Sequence, residues 1–292
     1  MRDIEIDGWT KLSALCEYFA IGNWIFRGVA DGTHSLIPAI GRSGARRSFK
    51  GFELPYDEFA AGYLLDQFKL QARAMVSLNH DADNLVWLAL GRHHSLPTPF
   101  LDWTTSLLVA AFFACQDGGI VGGTQCRAAI YAVPRPRLVQ THAEAITSTE
   151  PVAYCPPHVS PRIAAQSGLL TFHPIPNLAW QPDESIKLWL PSNVAIDIKV
   201  VLARTGINEA SMMPDLDGLA RYWGWLYKRE FLQQVSLRTP SGESAATFKG
   251  SNAAGGGNYE TRVVSSANAT SHSEGDIRQD RPSDAVNVPP DG

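Results

Sequence analysis

The chain has 292 residues, with 25 Lys and Arg against 29 Asp and Glu and a formal net charge of −4. A hydrophobic share of 45% beside a charged share of 18% describes a globular protein with ample material for a core. The acidic balance argues against nucleic acid as the main partner, because phosphate contact needs a basic field, and no apolar run is long enough to suggest a membrane span.

Residues 9–20 carry apolar side chains at near-helical spacing and predict a short amphipathic helix, stopped by Gly22 and Asn23. Trp24-Ile25-Phe26-Arg27-Gly28 reads as a strand with a glycine at its end. The polar loop that follows holds a basic cluster, Arg42, Arg46 and Arg47, open to two readings: a solvated loop or an anion contact. Residues 56–79 predict a helix with acidic residues early, basic ones late, and Phe59, Tyr63, Phe68 and Met75 as its apolar face. Another helix is expected from Asp83 to about His94.

The stretch from Leu90 to Cys115 places Arg92, His93 and His94, then a turn with Pro97 and Pro99, in front of Asp102, Trp103, Thr104, Thr105 and Ser106. These lead into Leu107–Ala114, a run too short for a bilayer and too apolar for a surface, hence a buried helix. Asp102 reads either as a helix N-cap or turn residue, or as a carboxylate that orients Arg27 or acts as a base. The hydroxyls of Thr104, Thr105 and Ser106 read as a cap or as ligand contacts at the positive helix end.

Gly118, Gly119, Gly122 and Gly123 mark a loop, and residues 128–133 a buried strand ended by Pro134. Residues 169–172, 185–190 and 194–202 read as strands, the last two from period-two alternation. Asn208 is expected to cap a short helical turn, and 216–227 to form the last packed helix. Composition then shifts to Gly, Ser, Ala and Asn, so residues 236–292 are expected to be a disordered tail. The whole reads as one α+β domain over residues 1–235, with early helices and a later sheet. Four cysteines without C-x-x-C spacing, behind a charged start, read as reduced thiols in a cytoplasmic protein. No metal-ligand spacing, P-loop, dinucleotide glycine motif or nucleophile elbow is present in the sequence.

Three segments together resemble the FRG domain family: Trp24–Gly28; Arg92-His93-His94-x-Leu96-Pro97-Thr98-x-x-Leu101-Asp102-Trp103-Thr104-x-Ser106 with Ala110–Ala114; and Gly206-Ile207-Asn208 with Pro214–Ala220. A segment like Arg162-Ile163-x-x-Gln166-x-Gly168 also belongs to the pattern. Here Arg92 stands where the family commonly has glutamine, and Ser95 where it commonly has glycine. A further similarity is to mono-ADP-ribosyltransferases, in which an Arg-Gly ends a strand and a Ser/Thr run feeds an alanine-rich helix. It implies NAD as substrate. Arg27 would contact its phosphate or ribose and Gly28 the nicotinamide amide, while Thr104, Thr105 and Ser106 brace the site. The family's catalytic glutamate corresponds to Gln166, which cannot act as a base, and Glu150 and Glu184 are the nearest carboxylates in sequence.

The leading expectation is therefore a pocket for an anionic nucleotide-like ligand, with NAD first in line. Arg27, Gly28, Thr104, Thr105 and Ser106 would bind it, and Asp102, His93 and Gln166 would sit at the reacting end. The alternative from a different class is a non-catalytic module that binds protein or nucleic acid, in a bacterial defence or stress context. A metal-independent hydrolase using His93 or His94 with Asp102 is a third reading. No resident cofactor and no oligomeric state follow from the sequence.

Overall fold

The computed structural model describes residues 1–228 apart from 77, 80, 117–119, 122, 123 and 158–163. The expected tail, the Gly118–Gly123 loop glycines and the Arg162-Ile163 pair lie outside these residues. Met1–Trp225 form one compact unit, and a second begins at Leu226.

The architecture is α+β. Strand β1 (Arg2–Glu5) precedes helix α1 (Trp9–Ala20) and strand β2 (Trp24–Val29). A small hairpin, β3 (Arg46–Arg47) and β4 (Glu53–Leu54), leads into α2 (Glu58–Ala72) and α3 (Asn84–His93). Strand β5 (Phe100–Thr104) is followed by α4 (Leu107–Ala114), a two-strand ribbon β6 (Ile120–Val121) and β7 (Thr124–Gln125), and β8 (Ala128–Pro134). Then come α5 (His142–Ile146), β9 (Val152–Tyr154), β10 (Gly168–Phe172) and β11 (Ile186–Leu190). Helices α6 (Ser192–Arg204), α7 (Glu209–Met212) and α8 (Leu216–Lys228) close the described chain.

Seven strands form one mixed sheet in the order β1-β11-β8-β2-β5-β10-β9. Only the β1–β11 pair is parallel among these. The register explains how the core divides. Phe26 faces Thr104, so the pleat puts Phe26, Thr104, Asp102 and Phe100 on one face. On that face, α1, α4 and α6 pack over β2, β8 and β11 around Phe26, Ile130 and Leu188. Beside them, α2 and α3 pack over β5, β9 and β10 around Trp87, Phe100 and Phe172. The opposite face is a third cluster of Ile25, Leu36, Leu101, Trp103, Tyr131 and Leu169. Full burial of each large apolar side chain is worth roughly 1.5–3 kcal/mol, so the sheet is anchored on both faces.

Helix α4 explains the glycine of Phe-Arg-Gly. Ala110, Ala111 and Ala114 are buried and let the helix backbone lie directly on β2. A Cβ at position 28 would come to 1.9 Å from the Ala110 carbonyl oxygen and 2.6 Å from the Ala114 nitrogen. Both are backbone atoms, so relief needs the helix to move. Gly28→Ala is expected to cost about 2–3 kcal/mol through overpacking, read as a lower urea midpoint with an unchanged m-value.

Three sequence expectations need correction. Residues 194–202 are helix, not strand. Val194, Ala195, Ile198 and Leu202 are the buried set, and their spacing of one, three and four follows a helix face. The alternation arose because Lys199 is itself buried and polar, which broke the helical pattern. Asp102 is not an N-cap: it lies inside β5, and Ser106 caps α4, its hydroxyl accepting from the Val109 N–H at 3.3 Å. On α2 the inward residues are Leu65 and Ala72 with Phe68, while Phe59, Tyr63 and Met75 are exposed. Asn208 caps α7 as expected, in a full capping box with Ser211, and Asp57 and Asp83 cap α2 and α3.

Candidate functional site: an arginine-lined cleft where the sheet splits

Strands β2 and β5 pair only at Phe26 and Thr104, whereas β2 pairs with β8 along its whole length. Beyond that single rung the two strands part. The resulting gap leaves the backbone of β5 without a ladder partner on that side, and Arg27 fills the role. Its Nη1 donates to the Asp102 carbonyl at 2.8 Å and lies 3.6 Å from the Asp102 carboxylate. A cleft of about 380 Å³ opens at this split. Phe26, Arg27, Arg92, Asp102, Gln166 and Met213 are among its walls.

Arg92, in the last turn of α3, is the main partner of Asp102. Its Nε donates to both carboxylate oxygens at 3.2 and 3.0 Å, and its Nη2 pairs with Oδ2 as well. This is a fork-to-fork pair, the strongest geometry open to an arginine and a carboxylate. Burial alone would raise the Asp102 carboxyl; the Arg92 charge and hydrogen bonds, then Arg27, hold it below the ordinary range. Arg92 is correspondingly raised against its own burial by Asp102. Arg27 goes the other way: burial lowers it, and Asp102 only partly offsets this. Arg42 is lowered by burial and then by Arg92, with Asp102 opposing. Two guanidinium groups, those of Arg27 and Arg92, therefore share one carboxylate.

The basic cluster seen in the sequence divides. Arg46 lies 3.3 Å from Asp57 at the head of α2 and Arg47 3.8 Å from Glu53 on β4, so each has a carboxylate partner. Arg42 turns away, its Nε fixed by the Ile37 carbonyl at 3.0 Å.

The structure brings Arg27, Gly28, His93, Asp102, Thr104 and Gln166 to the cleft, and leaves Thr105 and Ser106 off its walls. The Thr104 hydroxyl is buried. It donates to the Gln166 carbonyl at 2.8 Å and accepts from the Ser106 N–H at 3.1 Å, which fixes the turn into α4. Thr105 is exposed, and its N–H donates to the Ser167 carbonyl at 3.2 Å. Gln166 Nε2 donates to the Met212 carbonyl at 2.9 Å, tying the β10 approach to the end of α7 beside Met213. His93 lines the cleft and packs edge-on against the exposed His94. Glu150 and Glu184 are not among the cleft's lining residues. Among the described residues no three His, Cys, Asp or Glu side chains are grouped to hold a metal ion.

Two backbone conformations belong to the site's edge. Ser95 has φ +67° and Ser167 has φ +47°, both in the left-handed region that favours glycine. At Ser95 this conformation is one that a glycine would adopt without a side-chain penalty.

Arg92 was legible only as a departure from the family pattern. A charge in the last turn of a helix reads first as a dipole or solvent contact. Its carboxylate partner lies ten residues on, beyond two prolines, and that distance carries no periodic signal.

Residues 22–119 match the family model of the FRG domain. The matched segment holds both arms of the split, from β2 through α4. No curated protein and no solved structure matches the chain. Among the described residues no helix is long and apolar enough to cross a membrane.

Proposed function

We propose that the cleft binds an anionic, nucleotide-like ligand, with NAD the first to test. The observation that carries the reading is the charge arrangement: Arg27 and Arg92 on the single carboxylate of Asp102, in the cleft that all three line. Asp102 orients the Arg92 fork and leaves an excess of positive charge at the mouth of a cleft with Phe26, Phe113 and Met213 among its walls. Guanidinium groups held in this way are preorganised for phosphate oxygens, and the aromatic and thioether walls suit a base or nicotinamide ring.

The same geometry supports binding and positioning over proton transfer. A carboxylate held below its ordinary range and gripped by Arg92 is a weak base at neutral pH. An ADP-ribosyltransferase-like or NAD-cleaving activity needs a negative group near the ribosyl cation formed as nicotinamide leaves. Asp102 is the carboxylate that lines this cleft, and its charge is already engaged by Arg92 and Arg27, so the arrangement favours binding over cleavage. Gln166 positions the wall through Met212.

Titration with NAD followed by thermal unfolding tests the reading. At a concentration near 100 times the dissociation constant, linkage gives about 2.7 kcal/mol of stabilisation. The wild type is expected to shift upward and Arg27→Gln to shift much less, with release of nicotinamide recorded in the same samples. No shift with NAD, ADP-ribose or ADP overturns it.

One observation favours a protein-binding module as a second reading. Phe59, Tyr63 and Leu70 project from one side of α2 and are 84%, 61% and 62% exposed. Light scattering of Tyr63→Asp against wild type over a concentration series reads whether that stripe self-associates.

A further inference from the structure

A second cavity of about 280 Å³ shares a wall residue, Arg27, with the cleft. Its other walls include Asp31, His34, Leu36, Arg42 and Tyr131. Each cavity alone sits near the lower end of the size range for small-molecule sites; the two together fall inside it.

The polar groups of the second cavity are set by short-range bonds. Asp31 Oδ1 accepts from the Thr33 N–H at 2.9 Å and its hydroxyl at 2.7 Å. Its Oδ2 lies 3.8 Å from His34 Nε2. Tyr131 is another wall, its hydroxyl donating to the His34 carbonyl at 2.6 Å. Lys187 donates to the Gly32 carbonyl, lies 4.7 Å over the Tyr131 ring and offsets the charge of Asp31. That leaves the central group. Arg27 lines both cavities, Arg92 the cleft and Arg42 the second cavity, and against the one carboxylate of Asp102 they leave two positive charges along the pair, the count a diphosphate bridge carries in negative charge.

Resting on the nucleotide reading above, we propose that the second cavity is the other half of the binding site and that the ligand is a two-ended nucleoside diphosphate. Its phosphates lie over Arg27, between Arg92 on the cleft side and Arg42 on the other. Its far end is a sugar whose hydroxyls donate to the Asp31 carboxylate. A mononucleotide would fill the cleft and leave Arg42 without an anion.

Calorimetric titration of AMP, ADP and ADP-ribose into wild type, Arg27→Gln, Arg42→Gln and Asp31→Asn separates the possibilities. Arg42→Gln is expected to weaken ADP and ADP-ribose by roughly tenfold, the worth of one charge-assisted hydrogen bond, and AMP by less than about threefold. Asp31→Asn keeps an oxygen for the Thr33 contacts and is expected to weaken ADP-ribose about fivefold while sparing ADP. Arg42 is exposed, so an unchanged thermal midpoint of its variant certifies the fold. If Arg27→Gln abolishes ADP-ribose binding but Arg42→Gln and Asp31→Asn match wild type, the second half-site is overturned and the cleft reading stands. If the wild type binds none of the three, both are overturned.

Discussion

Lys199→Met is expected to destabilise the protein by about 3–5 kcal/mol, the range measured when one member of a buried ion pair is removed. Lys199 on α6 and Glu209 on α7 are 8% and 5% exposed at the side chain, and Nζ lies 2.7 Å from Oε1. Lys199 also donates to the Gln116 carbonyl at 2.8 Å and sits 5.1 Å over the Trp225 ring. Glu209 Oε2 has no hydrogen-bond partner. Removing the lysine therefore leaves a carboxylate with neither a cation nor a full set of donors, and the protein must unfold, admit water or protonate it. The consequence reaches the cleft. Glu209 opens the short helix whose end supplies the Met212 carbonyl to Gln166 and places Met213 on the wall. Urea unfolding checks the magnitude. The double variant Lys199→Met, Glu209→Leu is the control, because two apolar partners leave no buried charge. It should recover most of the loss. A single variant as stable as wild type would show that the pair is not closed in solution.

The second large effect is acid sensitivity through His173. This imidazole is 2% exposed. Burial, and then the charge of Arg27, push its pKa down to about 3. Its Nε2 lies 2.9 Å from the Thr171 hydroxyl, which accepts from Trp103 Nε1 at 2.9 Å. The folded protein thus holds His173 neutral, whereas the unfolded chain protonates it near the ordinary value of 6.5. Below that value the unfolded state binds the extra proton. Stability is therefore full above about pH 7 and falls as pH drops from 6.5 toward 3, by about 5 kcal/mol at the lower end. His142, lowered by burial, adds loss of the same sign. Urea midpoints between pH 7 and pH 4 measure the slope. His173→Gln, which cannot titrate, is expected to flatten it, and parallel slopes for the two proteins would refute the assignment.

How much of this was written in the sequence differs by kind of signal. Local chemistry was readable: the cap at Asn208, the helix start at Asp83, the apolar run of α4, and the β-branched and aromatic stretch of β2 each fix structure within a few residues. Residues 194–202 misled because a buried lysine looks like a solvent-facing one until its partner is known. Phe59 and Tyr63 misled in the opposite direction, as aromatic side chains that stay exposed. The short strand β1 was missed because its pairing partner lies almost the whole domain away, at Ile186–Trp189. The site divides in the same way. Arg27, Asp102 and the turn into α4 stood out as motif residues, and the fold joins them at the split. The Arg92 fork and the departure of Arg42 from its basic neighbours depend on how two strands diverge after one shared rung, which no pattern in the chain encodes.

A crystal structure of the protein with ADP-ribose at saturating concentration tests the central claim most directly. Phosphate oxygens within hydrogen-bonding distance of Arg27 and Arg92, about 3 Å, with the Arg92–Asp102 fork intact, are the predicted result. ADP-ribose bound away from the β2–β5 split, or a cleft empty of it in well-ordered crystals, would contradict it.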